Sequence, residues 1–324
     1  MDKTIRIGTR ESRLALWQAE KVRSLLTRYG YSSELVYIKS DGDKDLLTPL
    51  YEIGVEGVFT RALDTALINH HIDIAVHSMK DVPIQPAAGI VQAAVLERGS
   101  HKDILVYKPG LLANTAWLLL NEDPEAFSKL FSATNSLFTV ATSSLRRKAQ
   151  WLNRFPAHRV ENLRGNVDSR LKKLYGSNWH GAIFAAAGLE RINLLPENSI
   201  DLGWMLPAPA QGAIMVVCRE ADTFCLEACS HFNDAGTALC VKLERDFLKE
   251  LLGGCSTPVS ALAKIEGDQV FFSGSILSPD GSRKAEIEKN SAISQGTELG
   301  KIAAADLLSN GGLSIAAEIR HASK

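Results

Sequence analysis

Four segments of the chain place arginine directly behind an apolar run. Gly8-Thr9-Arg10-Glu11-Ser12-Arg13 follows the first run, and Thr142-Ser143-Ser144-Leu145-Arg146-Arg147 follows residues 138–141. Leu163-Arg164-Gly165-Asn166, with Arg170 one helical turn on, follows 159–162, and Ala187-Gly188-Leu189-Glu190-Arg191 follows 182–186. Guanidinium groups recognise carboxylate or phosphate in a planar, bidentate fashion. Two of the segments add Ser or Thr at a helix start, where free N–H groups also favour an anion. Ligands of open α/β sheets bind beyond the carboxyl ends of the strands. The expectation is therefore a cleft that grips a ligand with several anionic groups. Singly, each segment reads equally as a solvated helix face behind an ordinary N-cap.

A fifth segment, His77-Ser-Met-Lys-Asp-Val-Pro83, leaves the apolar run 72–76. Lys80 and Asp81 fall at the same edge as the arginines. A carboxylate there can stabilise a cation or move a proton. It can equally close a local ion pair with Lys80 or an arginine, with His77 a satisfied polar group near the core. Cys218, Cys225, Cys229, Cys240 and Cys255 show no CxxC spacing, and no His/Cys pattern completes a zinc site, so no metal is expected. Neither a GxxxxGK[ST] nor a GxGxxG motif occurs, so a nucleotide is not favoured.

These residues need elements to hold them. Apolar periodicity predicts strands over 4–8, 34–38, 72–76, 103–107, 138–141, 159–162 and 182–186. Helices are predicted over 12–29, 59–69, 145–152 and 167–175, and a short one from Gly188. Strands alternating with helices imply βαβ units and a mainly parallel sheet. The polar stretch 40–57 reads as a long functional loop, and 108–137 as a poorly patterned, partly helical insert. The last third changes character. An amphipathic helix over 237–252 precedes antiparallel strands over 259–264 and 269–277 and a final helix over 297–308, stopped at Asn310-Gly311-Gly312.

The chain has 324 residues, 45% of them hydrophobic and 23% charged, with net charge −1. That length favours two or three domains. The near-zero charge gives no global sign of a nucleic-acid or anionic-membrane partner. The longest apolar run, 116–120, is far too short to span a bilayer. The start MDKTIRIGTR shows no apolar export segment, so a cytoplasmic protein with reduced thiols is expected.

HSMKDVP, together with IGTRESRLALWQAE, ATSSLRRKAQ, ENLRGNVDSRL, AAAGLERI, LPAPAQGAI and LLGGCSTPV, resembles the porphobilinogen deaminase (hydroxymethylbilane synthase) family. The motifs stand in the family's order from about Ile5 to Pro258. The resemblance implies a transferase of tetrapyrrole (haem-type) biosynthesis. It joins four porphobilinogen molecules head to tail into hydroxymethylbilane and releases ammonia. The product grows on a dipyrromethane cofactor held by a thioether, here at Cys255. Read without the resemblance, Cys255 is either a reachable thiol behind two glycines or a buried structural one.

The resemblance puts the catalytic carboxylate at Asp81. Loss of ammonia from the aminomethyl group leaves an azafulvene whose positive charge is shared with the pyrrole nitrogen, and an ionised carboxylate stabilises it. Each pyrrole carries an acetate and a propionate, so the growing chain is polyanionic. By matching motif, Lys80, Ser143, Arg146, Arg147 and Arg164 would bind the cofactor, and Arg10, Ser12, Arg170 and Arg191 the substrate. The implied fold is α/β with three domains and a monomer. Two lobes like those of periplasmic binding proteins, with mainly parallel sheets, flank the cleft: 1–101 with 207–230, and 102–206. A small C-terminal α+β domain, 231–324, carries the cofactor cysteine. Departures from the family pattern are Asp41, Glu52 and Glu56, acidic residues where many members carry Arg or Lys, and the long insert 108–137.

Overall fold

The computed structural model describes residues 3–39, 60–110, 114–132, 137–251 and 257–322. The chain opens with β1 (Ile5–Thr9), α1 (Arg13–Arg28), β2 (Ser33–Tyr37), α2 (Arg61–Ile68), β3 (Ile74–Ser78) and β4 (Ile90–Val95). A second unit follows with β5 (Asp103–Tyr107), α3 (Asn114–Glu122), α4 (Pro124–Ser132), β6 (Thr139–Ala141), α5 (Leu145–Arg154), β7 (Arg159–Glu161), α6 (Val167–Gly176), β8 (Gly181–Ala185), α7 (Ala186–Glu190) and β9 (Ser199–Asp201). Then come β10 (Ile214–Arg219), α8 (Thr223–Ser230), α9 (Ala235–Leu251), β11 (Val259–Glu266), β12 (Gln269–Leu277), β13 (Lys284–Ala292), α10 (Leu299–Leu307) and α11 (Leu313–Ala322).

Two five-stranded sheets face the cleft. The first has the order β2-β1-β3-β10-β4 and the second β7-β6-β8-β5-β9. In each, two pairs are parallel and two antiparallel: β10 runs against β3 and β4, and β5 against β8 and β9. Strand–helix alternation predicts a mainly parallel sheet, and the observed split has a topological cause. β5 and β10 enter their sheets from chain crossing between the lobes rather than through a βαβ unit. The central β3 is apolar on both faces because helices cover both, whereas the edge strand β2 is half exposed. On α1, Ala15, Ala19, Val22 and Leu26 form the buried stripe at helical spacing.

The third sheet, β11-β12-β13, is antiparallel throughout. Leu243 and Phe247 of α9, Ala303 and Leu307 of α10 and Ile315 of α11 share its core with Phe272. The glycines at 311–312 do not end the helical region, as the sequence predicts. They kink it at Gly311, with φ +96°, and α11 continues. The insert also acquires a role. Trp117 and Leu120 of α3 and Phe127 of α4 join Phe138, Trp151 and Phe155 in the core of the second lobe. Trp117 stacks on Tyr107 with ring centroids 4.1 Å apart.

The lobes are joined by two crossing segments, near 97–102 and 207–213. They touch through the Gly99 N–H, which donates to Gly212 O at 3.1 Å. A Cβ on Gly212 would lie 2.6 Å from Ser100 O, and φ there is +88°, so glycine is required on both counts. Glu244 of α9 is fully buried beside the crossing. Its carboxylate accepts from Arg98 Nη1 at 2.6 Å, Arg98 Nη2 at 3.1 Å, Ala210 N at 2.6 Å and Ala263 N at 2.8 Å. One side chain thus ties both crossings to the C-terminal sheet.

Candidate active site

β3 delivers Lys80 and Asp81 through a single 3-10 turn, Met79–Asp81. Buried Met79 pins that turn, donating its N–H to Ala213 O at 3.0 Å, and Val82 N closes it on Met79 O at 3.1 Å. Asp81 itself is exposed, while Lys80 is half-buried and donates to Gln211 Oε1 at 3.3 Å. Burial pushes the Lys80 ammonium down to about 8, against the opposing pull of Asp81.

Behind β6, Ser144 caps α5 by accepting from Arg147 N at 3.4 Å. The cap sets the first turn so that Arg146 and Arg147 point into the protein, and both are buried. Arg147 donates to Asp103 Oδ1 from Nε at 3.0 Å and Nη2 at 2.7 Å, and to Ile183 O from Nη1 at 3.1 Å. Arg146 Nη2 lies 2.7 Å from Asp103 Oδ2, and its Nη1 donates to Leu206 O at 2.7 Å. Gln211 Nε2 reaches Asp103 Oδ1 at 2.9 Å. Burial works against a charged Asp103, yet Arg146, Arg147, Gln211 and Lys80 hold it down at about 2. Ser143 donates its hydroxyl to Leu163 O.

Behind β7, Asn166 caps α6, accepting from Ser169 N at 2.9 Å, and carries Arg164 and Arg170 to the cleft. Arg164 is buried and Arg170 half-buried. Arg170 Nε is buried with no hydrogen-bond partner among the described residues. Burial, with Arg147 and Arg164 nearby, pushes the Arg170 guanidinium down to about 10, and Asp81 opposes the shift. From the other lobe, Ser12 caps α1 through Ala15 N at 3.4 Å, and Arg10 lines the same space. Arg13 crosses the cleft, donating to Ile192 O at 2.6 Å.

Two cavities result. One, of about 190 Å³, is lined by Ser143, Arg146, Gln211 and Thr257. The other, of about 550 Å³, is lined by Arg10, Ser12 and Arg164. Lys80, Asp81, Arg147 and Arg170 line both, so Asp81 stands where the two meet. The expected cleft rich in arginine is present, with one exception. Arg191 lines neither cavity; it donates to Gly212 O at 2.6 Å at the crossing and lies over Trp17. Cys255 and the stretch 40–57 lie outside the described residues. Thr257, two residues beyond Cys255, lines the smaller cavity. The other four cysteines are buried, and burial pushes each thiol up. His77 is buried and is pushed down to about 4 by desolvation, with Arg10 adding to the shift, so it is neutral at pH 7.

Sequence reasoning missed Asp103 and Gln211. Asp103 was visible as a lone carboxylate opening an apolar strand, a position that requires a buried cationic partner. Gln211 lies within LPAPAQGAI but carries no chemical signal of its own.

The family model "Porphobilinogen deaminase, dipyromethane cofactor binding domain" matches residues 5–227, and that for the C-terminal domain of the same family matches 238–309. The chain belongs to the porphobilinogen deaminase family. A porphobilinogen deaminase of Acidithiobacillus ferrooxidans is 38% identical over 99% of this chain and 100% of its own. One of Trichlorobacter lovleyi is 36% identical, covering 98% and 97%. Among solved structures, the probable amino-acid ABC transporter extracellular-binding protein ytmK of Bacillus subtilis aligns with a TM-score of 0.41 and 11% identity, covering 71% of this chain and 90% of its own. Among the described residues no helix is long and apolar enough to cross a membrane, and no group of three or more His, Cys, Asp or Glu side chains is placed to hold a metal. The cavities suit the family's dipyrromethane cofactor. They offer fixed cations, a buried donor on Arg170 with no partner among the described residues and a wall at Thr257 close in sequence to Cys255.

Proposed function

We propose that this protein is a transferase that condenses four porphobilinogen molecules head to tail into hydroxymethylbilane, with release of ammonia. The observation that carries the reading is the placement of Asp81 at the junction of two cation-lined cavities, flanked by Lys80, Arg147 and Arg170. When bound through a thioether to Cys255, the dipyrromethane cofactor supplies the free pyrrole α-carbon on which the product is built. In this reading Arg146, Arg147, Ser143, Lys80 and Arg164 hold its carboxylates, and Arg10, Ser12 and Arg170 those of the incoming substrate. Arg191 acts at the interlobe crossing instead.

The Asp81 carboxylate does the electrostatic work. Losing ammonia leaves a cation delocalised onto the pyrrole nitrogen of the substrate, and a fixed anion beside that nitrogen lowers the barrier. The surrounding cations hold the substrate carboxylates away from that charge, so the Asp81 carboxylate meets the reacting ring. The same carboxylate is placed to accept the proton that leaves after carbon–carbon bond formation.

Sheet membership supports lobe boundaries at 1–101 with 207–230, 102–206 and 231–324. The reading includes a monomer in the cytoplasm with porphobilinogen as its small-molecule partner, and the buried free thiols fit a reducing compartment. Intact-mass spectrometry with peptide mapping tests it. We expect an adduct of two linked pyrrole units on the Cys255 peptide. An unmodified Cys255 after incubation with porphobilinogen would refute the reading.

A further inference from the structure

Asp81 must be held accurately, yet no side-chain hydrogen bond joins it to another described residue. An Asp side chain has two torsions, so its backbone decides where the carboxylate sits. That backbone is one 3-10 turn followed by Val82 and Pro83, and Pro83 has no N–H to pair with a strand. The carbonyls after the turn need another partner.

Arg245 of α9 supplies it. Its Nη1 donates to Val82 O at 3.0 Å and reaches Met79 O at 3.5 Å. Its Nη2 donates to Pro83 O at 2.6 Å and Ile84 O at 3.1 Å. A single planar fork thus gathers four carbonyls around Asp81. A lysine presents its donors at one point and cannot span that set. The anchor is stiff, because Leu243, Phe247 and Leu248 bury α9 in the C-terminal core and Ile84 packs against the same core.

We infer that Arg245 is a positioning residue for Asp81, through which the C-terminal domain fixes the catalytic loop of the first lobe. The inference rests on the proposed function. It adds that α9, which leads toward the Cys255 segment at one end, sets the carboxylate from its middle. Charge-assisted hydrogen bonds are the strong ones, and a misplacement of about 1 Å at a reacting group costs about 100-fold in rate.

The test is steady-state kinetics on the cofactor-loaded protein. We expect Arg245→Gln to lower kcat by about 10–100-fold, with KM for porphobilinogen little changed and the cofactor still attached by intact mass. Arg245→Lys, which keeps the charge and loses the fork, recovers part of kcat. Phe272→Leu, a buried truncation in the same domain, serves as the control for lost stability and keeps kcat near the parent. An Arg245→Gln variant no slower than Phe272→Leu at equal Tm overturns the inference. So does a Lys variant no better than Gln, and so does failure of both Arg245 variants to fold, which would make the residue purely structural. A parent protein that forms no hydroxymethylbilane refutes the proposed function itself and this inference with it, a result distinct from an active parent with an unimpaired Arg245→Gln.

Discussion

The two cavities that meet at Asp81 hold their cations in different ways. In the smaller, Arg146 and Arg147 are locked onto Asp103 and onto main-chain carbonyls, and Gln211 braces the same carboxylate. Arg170, which borders both cavities, keeps a buried Nε–H without a partner among the described residues and sits near Arg147 and Arg164. The first arrangement is braced from within by one shared carboxylate. The second sets its cations beside Glu11, Asp81 and Asp168 and leaves the Arg170 Nε–H to a ligand. In the proposed function the attached cofactor runs from the first cavity to Arg164 in the second, where the substrates enter.

The comparison breaks most visibly at Asp103. Asp103→Asn leaves Arg146 and Arg147 buried without their anion, which costs about 3–5 kcal/mol of stability. Urea unfolding should show it, and a loss under about 1 kcal/mol would mean that Asp103 does not organise the smaller cavity. Next comes the junction. Asp81→Asn should lower kcat by about 10²–10³-fold, the size of effect seen when a fixed transition-state charge partner is lost. Because Asp81 is exposed, Tm should hardly move, and a variant retaining half of parental kcat would remove Asp81 from the chemistry.

Arg170→Gln sharpens the contrast with Asp103→Asn. It relieves a buried cation while removing a ligand donor, so KM should rise about tenfold with stability unchanged or slightly improved. An unchanged KM would take Arg170 out of substrate binding. The smallest effect is in pH. Lys80 is cationic below about 8 and neutral above it, because burial disfavours its charge. The time needed to load the cofactor onto the apoprotein should therefore rise a few-fold between pH 7 and 9, and in Lys80→Arg, whose charge persists, the rise should vanish. The same alkaline rise in both proteins would assign it to another group.

Much of this site was legible before the structure. Asp81, Lys80, Arg10, Ser12, Ser143, Arg146, Arg147, Arg164 and Arg170 all line the cavities, because each follows a strand whose apolar run marks where the chain leaves the sheet. What escaped notice was the wiring among them. Asp103, Gln211 and Arg245 act through contacts across many residues, and Glu244 reads as one more polar position on an amphipathic helix. Arg191 has the same local signature as its neighbours, but it sits at the end of a five-residue helix that turns it toward the crossing. The strands β4, β9 and β10 were missed for a related reason. None belongs to a βαβ unit, so no alternation of patterns announces them.

The position of β10 has a consequence for how the molecule is made. It lies between β3 and β4, which have no pairing with each other. A nascent chain therefore completes β4 at Val95 and must synthesise the whole second lobe before Ile214 emerges to join the two. At about 5–20 residues per second, that wait is on the order of ten seconds. The second lobe has all its strands within 103–201 and can close during that time. The first lobe meanwhile carries two unpaired strand edges, an exposure that invites wrong pairing. Ribosome-bound chains ending near residue 205 are thus the stage at which this protein most needs a chaperone.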